Sequence, residues 1–565
     1  MFTIIQNGSL HPSGGRIYIS VLILNLETFA ASGPIPPLTL SRQPESMSQV
    51  IVTSTSRLFP DELSSTPSRT VSLSISDSSL GSSGPEAAAL WAFEGQGDLA
   101  LTLTPAHLRT SLIQTLNAYP HWAGQLRYTK YVAGGIHTSR SRRLEVVYGT
   151  PTDPGVEFVV ASCDSNVSAV FPSLEQRSSG LGASDTSALG VDKFLPSTPG
   201  LASHSGGDFA GLPSMIVQVT TFKYGGAVIA LKSSHPLADA HALTTFVNDW
   251  AAVHRALVQN LPPPNLESGF LPASLDEAAS GDIDAPSTDP DILKIVHELP
   301  IYRYDYWASA DGSPAPELSK IPPHLASIAD TLELGPPLPW KEWDFQAPVS
   351  NYLLHFSAEE LAHIWMAASS PGETISHLDA LQAHIWSLLI RARIPEPPDE
   401  EFYLHTIIGL RTRVDPPLSP RMLGSPVLPA RVRGTRSTSL AHLARRIRAA
   451  VAAYTPRRIG AALHQMAFDI DARRMLPVFY GRRNTIFTAW TRIGMYEMDF
   501  GGGRPYYAQG VMPMLDGLVQ IMEAMPASFT GGNWYQDGAT VSLTLATEVI
   551  QRMLKDPLLR KYREL

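Results

Sequence analysis

A single cysteine in 565 residues, Cys163, excludes an internal disulfide and any cysteine-based zinc finger. It points to a reducing compartment, so a cytoplasmic protein is expected. Excess cation is missing too: 43 Lys and Arg stand against 52 Asp and Glu, a formal net charge of −9. A general nucleic-acid binder needs clustered positive charge for its phosphate contacts, so no nucleic-acid partner is expected. No apolar run approaches the roughly 18 residues of a membrane-spanning helix. The longest, residues 17–26, stops at Glu27, and no membrane partner is expected. The Gly-x-Ser-x-Gly elbow of hydrolases with a serine nucleophile is also absent. What is present is a core-forming chain, 44% hydrophobic, with room for more than one domain.

Residues 1–46 loosely imitate a secretory leader, but their polar, weakly charged start argues against one. They are expected to be a disordered or misassigned extension, with Met47 an alternative start. Proline, 47 of 565 residues, exceeds the usual ~5% and gathers at boundaries. Residues 164–213, rich in Ser, Gly and Ala, read as a flexible insertion. A second irregular stretch, 259–344, reads as a crossover between an N-terminal domain (47–258) and a C-terminal domain (345–565).

Thr104-Pro105 supplies an N-cap and a first-turn proline, and Leu108, Leu112, Ile113 and Leu116 then recur at helical spacing. Two apolar runs, 216–222 and 227–231, flank Lys223-Tyr224-Gly225-Gly226 as a β-hairpin. After His235-Pro236-Leu237-Ala238-Asp239, the residues Leu243, Phe246, Val247, Trp250 and Leu257 line one face of a helix. In the second half, Ser357 with Glu360 and Ser376 with Asp379 resemble capping boxes. Residues 402–410 and 541–545 read as strands, 440–451 and 547–554 as helices. Strands mixed with helices in both halves predict two α/β domains.

His-x-x-x-Asp occurs at His235/Asp239 and at His204/Asp208. With 17 histidines and Asp at roughly one residue in twenty, about one match arises by chance. Context separates the copies, since His204 lies in Ser/Gly-rich sequence whereas His235 sits on a turn between a buried strand and an amphipathic helix. Such an imidazole can take a proton from a hydroxyl or amine near neutral pH. On these residues alone a histidine capping the helix or filling the core remains open, and so does a metal set of His235, Asp239 and His241. Gly501-Gly502-Gly503, following Asp499-Phe500, allows close backbone approach or an ordinary turn. His121, Trp122 and Trp250 read as core, and Gly95-x-Gly97-x-x-Ala100 as a turn.

Taken together, these segments resemble the BAHD acyltransferase superfamily, particularly its fungal branch. The family's mid-chain His-x-x-x-Asp corresponds to His235–Asp239, and its Asp-Phe-Gly-Trp-Gly to Asp499–Gly503. The stretch from Ser111 to Leu126, ending Ala118-Tyr119-Pro120-His121-Trp122-Ala123-Gly124-Gln125-Leu126, resembles the family's early helix and its continuation. Residues 375–393 resemble a helix of its second domain, and Arg411-Thr412-Arg413-Val414-Asp415-Pro416-Pro417-Leu418 its Arg-x-Arg strand. The resemblance covers residue 48 to the end, apart from the two irregular stretches.

The resemblance implies two chloramphenicol-acetyltransferase-like domains, each a mixed sheet flanked by helices, with an interdomain channel. It implies transfer from acyl-CoA, acetyl-CoA in the first instance, to a hydroxyl or amine of a small specialised metabolite. It implies no permanent cofactor and no metal, and the enzyme is expected to be a monomer. His235 inherits the role of base. Asp239 inherits a structural role through an ion pair with Arg411 or Arg413, and Asp499 holds its loop against the other domain. Arg431 and Arg433, with Arg436 beside them, are candidates for the CoA phosphates, and Thr488 for the thioester oxygen. Three positions depart from the family pattern: Gly502 replaces a Trp, Ala240 a Gly and Ser425 an Asn. The loss of the Trp keeps a second reading open, a non-transferring cyclase or small-molecule binding protein.

Overall fold

The computed structural model describes residues 49–563, apart from 62–67, 81–85, 96–101, 199–208, 310–311, 314–318, 395–396, 398 and 527–531. The extension 1–46, the pair His204/Asp208, and positions 97 and 100 of the Gly95 motif lie outside the described residues. Eighteen strands are found among those described: β1 (Val50–Leu58), β2 (Arg69–Ser72), β3 (Ala87–Phe93), β4 (Gln125–Tyr128), β5 (Leu144–Tyr148), β6 (Val156–Cys163), β7 (Ala183–Asp185), β8 (Met215–Phe222), β9 (Ala227–Ser233), β10 (Tyr304–Asp305), β11 (Val349–Phe356), β12 (Phe402–Gly409), β13 (Val427–Gly434), β14 (Met475–Leu476), β15 (Asn484–Trp490), β16 (Tyr507–Gly510), β17 (Leu518–Glu523) and β18 (Ala539–Ala546). No described helix is long and apolar enough to cross a membrane.

Two mixed sheets organise the molecule. The first runs β1-β6-β8-β9-β3-β16 and the second β13-β12-β15-β17-β18-β11-β7. β8 and β9 form the hairpin expected from their apolar runs. Every residue of β3 and β9 is buried, as near-continuous apolar strands must be when both sheet faces are covered. The helices Pro105–Leu116 and Ala240–Val258 pack together in the first lobe. In the second lobe the helix His377–Ala392 starts at a reciprocal capping box, Ser376 and Asp379 each bonding the other's backbone N–H. At Ser357 the hydroxyl accepts from Glu360 N–H, and the Glu360 carboxylate pairs with Arg560.

The lobes exchange strands, which the division into consecutive halves did not anticipate. β16, from the C-terminal half, pairs with β3 at the edge of the first sheet. β7, from residues 164–213, pairs with β11 at the edge of the second. The described part of that segment is therefore built into the fold, although its composition suggested a flexible insertion. Ser and Gly dominate it, but Val167, Val170, Phe171, Val191 and Phe194 are buried in the first core and anchor it. The described part of the crossover 259–344 is likewise packed. Leu275 and Leu299 enter the second core, and Tyr304, Trp307, Trp340 and Trp343 form a third cluster with Phe479 and Leu518.

The exchanged strand β16 lies tightly against the second sheet. A Cβ on Gly510 would fall 2.0 Å from the Gln520 side-chain nitrogen and 2.6 Å from the Trp490 ring. Gly510→Ala should therefore cost about 1–3 kcal/mol through overpacking, seen as a lower urea midpoint with an unchanged slope.

Candidate active site

His235 lies two residues beyond β9, where the chain leaves a buried strand and has not yet entered the Ala240–Val258 helix. The turn is closed by Leu237 N–H donating to the Ser234 carbonyl (3.0 Å) and Ala238 N–H to the His235 carbonyl (3.2 Å). His235 itself is half-buried while Pro236 to Asp239 are buried, so the residue keeps some contact with the surface. Burial, partly offset by the Asp239 charge and by its own carbonyl, holds the imidazole below the ordinary histidine range. The ring is therefore neutral, and able to accept a proton, over more of the pH range than a free histidine.

Asp239 closes the turn from its other end. Its carboxylate caps the following helix, accepting from Ala242 N–H at 2.9 Å. It also takes two bonds from the Arg411 guanidinium, at 2.6 and 3.0 Å. Burial opposes its ionisation, but Arg411 and the Ala242 N–H outweigh that and hold the carboxyl below the usual range. Arg411 belongs to the second lobe, just beyond β12. The two backbones also meet here, with Gly424 N–H donating to Leu237 (3.1 Å) and Asp239 N–H to Gly424 (3.0 Å). The other candidate partner, Arg413, instead donates to the Val451 carbonyl.

Ser425 follows at once. Its hydroxyl lies 2.9 Å from His235 Nδ1 and donates to the His235 carbonyl at 2.5 Å. Its own N–H donates to Asp77 at 2.5 Å. Asp77 sits in the short helix Ile75–Ser79, where Ser74 caps the turn and donates its hydroxyl to the same carboxylate at 2.6 Å. Burial pushes the Asp77 carboxyl up to about 7 despite the bonds from Ser74 and Ser425. Gly424 has φ +93°, and a Cβ there would meet the Asp77 carboxylate oxygens at 2.9 Å. Both the backbone and the space require glycine.

The other residues singled out from the sequence divide clearly. The Asp499 carboxylate accepts from the Gly501 and Gly503 N–H groups, at 2.8 and 3.2 Å, while its carbonyl takes a bond from Arg255 of the first lobe. Next to it, Phe500 is buried edge-on against Phe93 and Trp250. Thr488 is half-buried on β15, level with Gln520 of β17. Arg431 is stacked between Tyr302 and Tyr403, 4.2 and 3.7 Å from the ring centroids, and Arg433 is exposed beside Glu401. Neither arginine is brought into contact with the His235 group. His241 bonds the Pro420 carbonyl (2.6 Å), and with Asp239 engaged by Arg411 the three-ligand metal set does not assemble. His121, Trp122 and Trp250 are core. Sequence reasoning passed over Asp77 and noted Ser425 only as a departure. The Ser74-x-x-Asp77 spacing, a capping-box signature, was the signal for the first.

A model of the transferase family matches residues 48–289 and 352–556. The chain belongs to that family, the BAHD acyltransferases. It is 28% identical over 474 residues to acyltransferase AFT15-1 of Alternaria alternata, covering 80% of this chain and 86% of that one. It is 27% identical over 470 residues to acyltransferase abl6 of Leptosphaeria maculans, covering 80% and 87%. Among solved structures, vinorine synthase matches with a TM-score of 0.58 at 18% identity, covering 90% of this chain and 98% of that one. TRI101 of F. sporotrichioides, complexed with coenzyme A and T-2, matches with a TM-score of 0.58 at 16% identity, covering 87% and 99%. The fold is thus the two-domain, chloramphenicol-acetyltransferase-like α/β architecture. The protein is an acyl-CoA-dependent acyltransferase, with acyl-CoA as co-substrate.

Two substitutions probe the junction. Arg411→Ala leaves the buried Asp239 carboxylate without its counter-charge and should cost about 3–5 kcal/mol, measurable by urea unfolding. Asp77 titrates near 7 in the fold against 3.8 as a free carboxyl, so the native state holds its proton more tightly. Its contribution to stability is full below 3.8 and is lost as pH rises toward 7. Asp77→Asn should flatten that part of the stability curve, seen by comparing unfolding midpoints on either side of this window.

Proposed function

We propose that the enzyme transfers an acyl group, acetyl in the first instance, from acyl-CoA to a hydroxyl or amine of a small specialised metabolite, with His235 as general base. The observation that carries this reading is the placement of His235: a half-buried imidazole on a turn clamped by both lobes, with its basicity lowered by burial. Rigid support of this kind is what a catalytic base needs. Donor and acceptor are present together. The neutral imidazole takes the proton of the acceptor hydroxyl or amine as its oxygen or nitrogen attacks the thioester carbonyl carbon. The tetrahedral intermediate then collapses, the carbon–sulfur bond breaks, and the imidazolium returns the proton to the CoA thiolate. The products are an ester or amide and free CoA, with no acyl-enzyme formed.

Asp239 and Arg411 hold the turn and do not touch the reacting atoms. Asp499 fixes its loop through two backbone N–H groups. Thr488, half-buried on a strand whose Trp490 packs into the first core, is proposed to face the thioester oxygen. Removing one such donor costs about 3–4 kcal/mol in enzymes that rely on it. Gly502, in place of an indole, favours the competing reading of a non-transferring binding protein or cyclase.

One assay separates the two readings. Acetyl-CoA is incubated with a panel of hydroxylated and amino metabolites, and free thiol is followed. Transfer predicts CoA release that depends on the acceptor, and His235→Ala should lower it about 10²–10⁴-fold without unfolding the protein. Full activity in that variant would refute the base assignment.

A further inference from the structure

We infer that Ser425, held in place by Asp77, is a positioning residue that fixes the tautomer of His235, with the proton on Nδ1 and Nε2 free to act as base. This rests on the reading of His235 as base. A serine hydroxyl has one hydrogen and two lone pairs. The Ser425 hydroxyl hydrogen is directed to the His235 carbonyl oxygen, 2.5 Å away, which can only accept. Toward Nδ1, at 2.9 Å, the hydroxyl can therefore offer only a lone pair, and Nδ1 must supply the hydrogen. The His235 carbonyl also raises the ring's affinity for a proton. Among the described residues Ser425 Oγ is the one hydrogen-bond partner at Nδ1, and with its hydrogen on the carbonyl the opposite tautomer would set lone pair against lone pair.

The serine is itself locked. Ser425 is fully buried, its N–H donates to Asp77 (2.5 Å), and its carbonyl accepts from the Ser76 hydroxyl at 2.9 Å. Two residues of the Ile75–Ser79 helix, which comes from the N-terminal half of the chain and packs through Ile75 into the second core, thus hold both backbone polar groups of Ser425. Its side chain in turn bonds a first-lobe histidine. The loop from Gly424 to Val427 is pinned across the junction, and the serine hydroxyl has one available direction.

The measurement is made on the full-length protein in two arms. In the first, the wild type is labelled with [15N]histidine, and the His235 signal is assigned by its loss in His235→Ala. The neutral ring should show Nδ1 protonated and Nε2 unprotonated. In the second, Ser425→Ala and Ser425→Thr are assayed with acetyl-CoA and the panel metabolite giving the fastest CoA release. Ser425→Ala should lower kcat about ten- to a hundredfold with KM for both substrates unchanged, and Ser425→Thr, which keeps the hydroxyl, should restore most of it. A neutral His235 protonated on Nε2, or a Ser425→Ala enzyme with wild-type kcat, would overturn the inference. If Ser425→Ala does not fold, the wild-type spectrum alone decides. Activity surviving in His235→Ala would instead remove the base assignment, so the two failures are told apart.

Discussion

The bidentate pair between Asp239 and Arg411 fixes the geometry on which everything else depends. One carboxylate caps a helix of the first lobe and holds an arginine of the second. The imidazole four residues earlier has its position set by both lobes at once. A buried ion pair is weak evidence of net stabilisation, because desolvation offsets much of the Coulomb attraction. Its better-attested use is to specify registry. Only one alignment of the lobes brings Arg411 to Asp239, Gly424 between Leu237 and Asp239, and Ser425 to His235. The exchange of β7 and β16 makes the same alignment a matter of chain topology.

Polar groups at the junction differ in how their environment treats charge. Asp239 is kept ionised by a guanidinium and a helix N-terminus, whereas Asp77, buried with only neutral donors around it, is pushed up to about 7. His235 is displaced the other way, toward the neutral ring. A neutral imidazole on a turn held by a carboxylate–guanidinium pair suits the proton abstraction proposed for it. The pair supports the turn, and burial lowers the ring's affinity for a proton.

Much of this was legible in the sequence because it is local. Thr104-Pro105 starts the first helix, Ser376 with Asp379 starts a second-lobe helix, and His235 to Asp239 is a short turn between a strand and a helix. These signals act over a few residues. What escaped was non-local. Nothing in the run from Ala183 to Asp185 announces a strand that will pair with β11, because strand pairing is decided by partners far along the chain. Arg411 and Arg413 could not be separated as partners of Asp239, since spacing alone does not say which side chain turns inward. Ser425 looked like a loss relative to the family pattern, yet the structure makes it the residue that meets the imidazole. Asp77 was hidden in an unremarked capping pattern 158 positions before His235. Composition underrated the described part of residues 164–213, because a few large apolar side chains, Phe171 and Phe194 above all, outweigh many small polar ones once they find a core.

The central claim, that a neutral imidazole at the lobe junction accepts the acceptor's proton, is tested most directly by the pH dependence of kcat/KM for acceptor-dependent CoA release. The account predicts that the rate rises with pH through one ionisation whose midpoint lies below the ordinary histidine value of 6.5, because the ring must be deprotonated and burial lowers its affinity for the proton. A rate that does not change across that region, or a limb displaced above 6.5, would contradict it.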